Sequence, residues 1–219
     1  MQFNYVTAVI LSLSILIAGI IGIVRFSQID NKHKPFIYLI WVGCVNEGLS
    51  IYLAFNGYHT IVNGVVYDLC ESLFLLWFFK NLGVFKKQRN LFYFLIVLFT
   101  VIWFVETFLK SRFGSSFTYY FNVVYYFVVV LLSIRVINNL LFSEKELLKN
   151  STFLICIGLI LFFTYGIISR MFWLYGLKNS IEFVMKVQSI YMLINFLSNL
   201  IYALAVMYMS KRQAFTFQF

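Results

Sequence analysis

The stretch LFYFLIVLFTVIWFVETFL, from Leu91 to Leu109, carries a single charged side chain, Glu106. A helix rising about 1.5 Å per residue needs about 20 apolar residues to cross a hydrocarbon core of about 30 Å, and this stretch meets that length. A strand crossing lipid alternates apolar and polar residues over about 10 positions, whereas this run is continuous. Lipid offers the backbone no hydrogen-bond partner, so a continuous apolar segment of this length reads as a membrane-spanning α-helix.

Six further segments pass the same test: Phe3 to Phe26, Pro35 to Phe55, Gly64 to Phe85, Tyr119 to Phe142, Ser151 to Leu177 and Ser189 to Met209. The chain as a whole is 62% hydrophobic and 11% charged, against about 45–50% and about 25% in soluble domains. The expected fold is an all-α polytopic transmembrane bundle of seven helices, residues 1–209 forming one domain and 210–219 a short cytoplasmic tail. The connectors, of about 5 to 11 residues, are typical of antiparallel helix neighbours and leave no room between spans for a soluble domain. Pro35, the only proline, stands where a helix can begin without losing a hydrogen bond. The first stretch lacks the basic start and small-residue cleavage site of a removable signal and is read as the first span. Ile181, Val184 and Met185 recur at helical spacing in the connector 178–188, which predicts an amphipathic turn on the outer surface. Cys44, Cys70 and Cys156 lie inside apolar runs without a CxxC pair, against a disulfide framework or zinc site.

The formal charge is +9, yet the basic residues form short clusters between spans rather than a nucleic-acid-binding domain. Twelve fall on one side: Arg25, Lys32, Lys34, Lys80, Lys86, Lys87, Arg89, Arg135, Lys145, Lys149, Lys211 and Arg212. Five fall on the other: Lys110, Arg112, Arg170, Lys178 and Lys186. Cytoplasmic loops carry the excess of Lys and Arg, so the N-terminus is expected outside and the C-terminus in the cytoplasm of a multi-pass protein of a bacterial inner membrane.

Charges at mid-helix in a bilayer cost about 2.5 to 3.5 kcal/mol on insertion scales and usually face the bundle or a wet cavity. Measured along the expected spans, Glu47 falls in the outer half of the second, Asp68 and Glu71 in the outer third of the third, and Glu106 near the outer end of the fourth. Asp68 and Glu71, three residues apart, share a helical face. Arg170, near the outer end of the sixth span, is the candidate counter-charge, and His59 adds a titratable group on that side. On the seventh span Tyr191, Asn195, Ser198, Asn199 and Tyr202 form a polar stripe, with Asn46 and Asn122 as further candidates for the same space. The expected ligand-binding set is Glu47, Asp68, Glu71, Asn195, Arg170 and Glu106, in an outward-open polar pocket. Interhelical hydrogen bonding alone, worth about 0.6 kcal/mol per pair in one series, is the competing account of the Asn, Ser and Tyr residues. For Glu106 and Arg170 it is snorkelling to the interface.

The residues exclude several functions. A retinal protein needs a Schiff-base lysine in its last helix, and Ser189 to Met209 contains none. The two histidines, His33 and His59, fall on opposite sides, so haem and histidine-bound zinc lack ligands, while a carboxylate-bound cation stays open. No GxSxG, P-loop, HExxH or GxGxxG pattern occurs. No cofactor is expected, and an enzyme is not indicated beyond a carboxylate pair, Asp68 and Glu71, suited to acid–base work on a lipid.

Asn46-Glu47 in the second span, Tyr67 with Asp68 and Glu71 before an aromatic run in the third, Phe172-Trp173-Leu174-Tyr175-Gly176 closing the sixth and Ile201-Tyr202-Ala203-Leu204-Ala205 in the seventh resemble small seven-helix membrane proteins of Bacteroidetes-type bacteria. The resemblance implies the fold and no activity. The leading expectation is a sensory or signalling module that binds a small ligand or cation in the outer pocket and acts through a separate cytoplasmic partner. The alternative is a proton- or cation-coupled transporter using the same carboxylates, and the third a lipid-modifying enzyme. The bilayer is the one partner all three share.

Overall fold

The computed structural model describes residues 5–110, 119–142, 146–174 and 181–209. The tail expected at 210–219 and the topology residues Arg112, Lys145, Lys178, Lys211 and Arg212 lie outside them. Eight α-helices follow in order: α1 (Tyr5–Ser12), α2 (Ile15–Arg25), α3 (Lys34–Phe55), α4 (Ile61–Asn81), α5 (Arg89–Phe104), α6 (Tyr119–Leu141), α7 (Ser151–Leu174) and α8 (Ile181–Tyr208). No strand occurs among the described residues. Among the described residues seven helical stretches are long and apolar enough to cross a membrane, the first running Val9–Gln28 from the end of α1 through α2.

The helix ends have local causes. Pro35 occupies the first turn of α3. At the end of α3 Gly57 takes φ +74°, and the Gly57 and Tyr58 amides bond back to the carbonyls of Ala54 and Leu53 at 3.1 and 2.9 Å. Gly83 repeats this after α4 at φ +81°, with the Gly83 and Val84 amides on Lys80 and Phe79 at 2.9 and 3.2 Å. Both are glycine stops in which the left-handed residue lets two orphan carbonyls be satisfied. Asn150 caps α7, its Oδ1 accepting the Thr152 and Phe153 amides at 2.9 and 3.2 Å. Arg25 donates to the Met207 carbonyl at the end of α8, where a cation also complements the helix dipole.

Two expectations are corrected here. The amphipathic turn over 178–188 is, from Ile181 onward, the opening of α8, which runs unbroken to Tyr208. Glu182 and Lys186 pair at 2.6 Å across one turn of its polar start, a small local support. The third span begins and ends earlier than its apolar run suggested, so Glu71 sits at the centre of the 21-residue α4, not in an outer third.

The helices form a closed ring. Each neighbour in sequence packs on the next, α2 on α3, α3 on α4, α6 on α7 and α7 on α8, and α8 closes against α1 and α2. The exception is α5, which packs on α4 and α6 while those two also touch one another. The side chains agree: Tyr93, Phe94, Val97 and Val101 of α5 are exposed, as lipid-facing residues are, while Leu95 and Phe99 are buried. On α2 the small residues Ala18, Gly19 and Gly22 are buried, and they bring it close to α3: a Cβ on Gly19 would stand 2.8 Å from Cys44 Sγ. The Trp41 indole also donates to the Gly19 carbonyl at 3.3 Å.

Candidate functional site

Inside the ring lies a cavity of about 240 Å³ with walls from every helix except α5. Five of the six candidate residues line it: Glu47 from α3, Asp68 and Glu71 from α4, Arg170 from α7 and Asn195 from α8. Asn46, Tyr191, Asn199 and Tyr202 line it too. The three-and-four spacing of α8 therefore turns one polar face to the interior, as its periodicity requires.

Glu71 is the most constrained of these groups. Its residue is 8% exposed, and its two oxygens accept hydrogen bonds from different helices. Tyr67, one turn earlier on α4, donates to Oε1 at 3.1 Å, and Tyr125 of α6 donates to Oε2 at 2.5 Å. A carboxyl group buried this far from water is tolerable only with such partners. Asp68 and Arg170 interact electrostatically across the gap between α4 and α7. The Arg170 guanidinium also stands 6.0 Å from the Tyr119 ring centre, a position favoured by the ring's negative face. Glu47 faces Ser12, beside the break between α1 and α2.

That break was not legible in the sequence, since Leu13 and Ser14 are neither glycine nor proline. The Ser14 and Leu16 amides reach back three residues instead of four, to Leu11 and Leu13 at 3.3 and 3.0 Å, so the helix tightens and restarts. Its hydroxyl bonds the Leu11 carbonyl at 2.6 Å and accepts from Asn199 Nδ2 at 2.9 Å. The interruption is thus tied to the polar face of α8 by a buried hydrogen bond.

The rest of the wall is aromatic and aliphatic, with Ile15, Leu39, Ile40 and Leu159 beside the rings. Tyr126 packs against Phe163 at 4.8 Å, Phe162 against Tyr191 at 5.6 Å, and Phe36 meets Tyr202 edge-on at 5.2 Å. Phe36 and Tyr202 stand at the end of the cavity nearest the start of α3, with Phe78 behind Phe36 at 5.5 Å. Beyond this plug His33 is buried, its Nε2 3.0 Å from the Thr152 hydroxyl and 3.3 Å from that of Ser151.

The remaining candidates stand elsewhere. Glu106 is not on the cavity wall: it sits in a π-helical turn, Val105–Lys110, and its carboxylate accepts the Tyr120 and Phe121 amides at 3.0 and 2.7 Å. Those are orphan donors of the first turn of α6, so Glu106 caps a neighbouring helix. His59 is exposed in the α3–α4 connector, and Asn122 and Ser198 are buried outside the cavity lining. The tyrosines around Glu71 carried no distinguishing signal beyond the Tyr67–Glu71 spacing of four, in a chain with fifteen tyrosines.

Among the described residues no cluster of His, Cys, Asp and Glu is arranged to hold a metal ion. Among the described residues the arrangement offers a chamber of aromatic and aliphatic wall with three carboxyls, one guanidinium and three amides. No protein family, no curated protein and no solved structure matches the chain.

Proposed function

We propose that this chain is a membrane receptor module in which a small polar ligand occupies the central cavity and biases the bundle between two arrangements read by a cytoplasmic partner. One observation carries the reading: carboxyls on α3 and α4 face a guanidinium on α7 and an amide on α8 across one shared cavity. A ligand held between them couples four helices at once. Moving a two-state bundle from 1:99 to 99:1 takes about 5.5 kcal/mol of differential affinity. That difference has to come from contacts made in one arrangement and lost in the other. The aromatic plug at Phe36 and Tyr202 favours a receptor, because it ends the polar space before the far end of the bundle. In this reading the N-terminus faces outward and the basic connectors face the cytoplasm of a bacterial inner membrane.

The test is thermal stability of detergent-purified protein against a panel of cations, small metabolites and lipids, for wild type and for Glu47→Gln/Asp68→Asn/Glu71→Gln. A spin-label distance between the plug-side ends of α3 and α7 is read in parallel. The expected result is a ligand that stabilises wild type alone and changes the distance. Stabilisation equal in both proteins, or an unchanged distance with ligand bound, defeats the receptor reading.

The interrupted first span favours a second reading, a carrier. Broken helices beside a mid-membrane site recur in transporters, where they line the substrate space, and here Ser12 and Ile15 on either side of the break line the cavity. Ion-driven uptake into proteoliposomes, abolished by Glu71→Gln, would establish it in place of the receptor.

A further inference from the structure

We infer that the ligand of this cavity is a small organic ammonium ion, an inference that rests on the cavity being a ligand site at all. The first observation is charge. Glu47, Asp68 and Glu71 face the space and, among the described residues, Arg170 is the one cationic residue lining it, an excess of two carboxyls over guanidinium. In a low-dielectric interior uncompensated carboxylates are costly, and a cationic occupant neutralises what Arg170 does not. An anion in the same place is repelled by each carboxyl that is ionised and gains only a hydrogen bond from one that keeps its proton.

The second observation is the wall. Phe36, Phe162, Phe163, Tyr126, Tyr191 and Tyr202 line the same space. Aromatic faces attract a positive charge, most strongly when it is desolvated, and they shelter alkyl groups as well. A bare metal ion gains little from rings and wants an oxygen cage, and no metal-type cluster exists among the described residues. A neutral polyol finds hydrogen-bond partners here but leaves the carboxyl excess without a positive partner.

The third observation is size. The space of about 240 Å³ falls just below the roughly 300 to 1,000 Å³ of pockets that take drug-sized molecules. It is far roomier than a bare cation needs. An amine with a short alkyl or single-ring body matches it, its nitrogen toward Asp68 and Glu71 and its carbon body toward Phe162 and Phe163.

The experiment uses the full chain in detergent and three matched sets: propylamine, phenethylamine and tetramethylammonium; the alcohols and carboxylates of the same skeletons; and sodium, potassium and calcium chlorides. The expected outcome is a raised thermal midpoint with at least one ammonium compound and with none of its isosteres. Affinity for it should fall at least about 30-fold in Asp68→Asn or Glu71→Gln, the loss typical of removing one partner of a buried charge pair. It should fall roughly 2- to 30-fold in Phe162→Leu, where only a ring is lost, and hold in Glu106→Gln. Phe162→Leu keeps every charge, so it still reads the site should a carboxyl variant fail to fold. Stabilisation by the carboxylates, the alcohols or the bare ions alone overturns the ammonium assignment and leaves the cavity a ligand site. A well-folded protein indifferent to every compound overturns both.

Discussion

His33 shows how much one buried side chain is constrained by its surroundings. It precedes α3, outside the spans, at 2% exposure. Burial first, and then the Lys32 ammonium, push its imidazole down from 6.5 to about 4, against a smaller opposing pull from Asp30. Because the folded value is the lower one, the unfolded chain binds more protons between pH about 4 and 6.5. Stability is therefore complete above pH 6.5 and is lost as pH falls through that window. The loss is about 3 kcal/mol if fully realised. Thermal midpoints from pH 4 to 8 should fall more steeply on the acid side for wild type than for His33→Gln, which keeps a polar partner for Thr152 without a proton to gain. Parallel profiles would mean that the ring titrates as it does in water. At this scale the sequence was informative where physics makes a residue conspicuous: a carboxyl in mid-membrane must have a reason, and Glu47, Asp68 and Glu71 converge on one cavity. Glu106 was equally conspicuous, but depth along a helix does not tell which neighbour a side chain faces, and a π-helical turn aims it at α6. Tyr125 was invisible, because a tyrosine's importance lies in its partner.

Helix α7 makes room for the cavity by omission. A Cβ added to Gly158 would stand 2.5 Å from the Tyr202 ring and one on Gly166 2.7 Å from the Tyr126 ring. These two glycines let both tyrosines lie against α7 and still line the interior. Gly158→Ala and Gly166→Ala should each destabilise by about 1 to 3 kcal/mol through overpacking, and weaken binding of any cavity ligand by displacing the rings. Gly48→Ala is the control: nothing lies within 4 Å of its Cβ position, and alanine in mid-helix should stabilise by up to about 1 kcal/mol. Denaturation midpoints decide it, and alanines tolerated equally at all three positions would refute the close packing. Element boundaries were legible at α3, where Pro35 opens the apolar run and Phe55 closes it, but not at the end of α4, where the apolar run continues past the glycine stop at Gly83 to Phe85. They were not legible where tertiary bonds decide. The break at Ser14 bonds to Asn199, 185 residues away, and α8 begins in a segment too polar to read as a span.

Across the whole molecule, the number of spans follows from hydropathy, but their arrangement does not, because every span is apolar enough to have sat anywhere in the ring. The exclusion of α5 from the cavity wall accords with its side chains: Glu106 is the one carboxylate of its stretch, it lies beyond the last turn of α5, and it is used at the boundary with α6. Charge adds what hydropathy lacks, a direction. Lys80, Lys86, Lys87 and Arg89 gather around the α4–α5 connector, whereas the α3–α4 connector between Phe55 and Ile61 carries no lysine or arginine. Basic connectors stay in the cytoplasm because translocating them opposes the membrane potential and the anionic inner leaflet. In a background with Cys44, Cys70 and Cys156 replaced by serine or alanine, His59→Cys should react with a membrane-impermeant maleimide on intact cells. Lys87→Cys should react only after the membrane is opened. The reverse pattern would turn the bundle over and put the carboxyl-lined portion of the cavity nearer the cytoplasm. The ligand would then have to be an intracellular molecule, and a partner reading the plug-side helix ends would have to lie outside the cell.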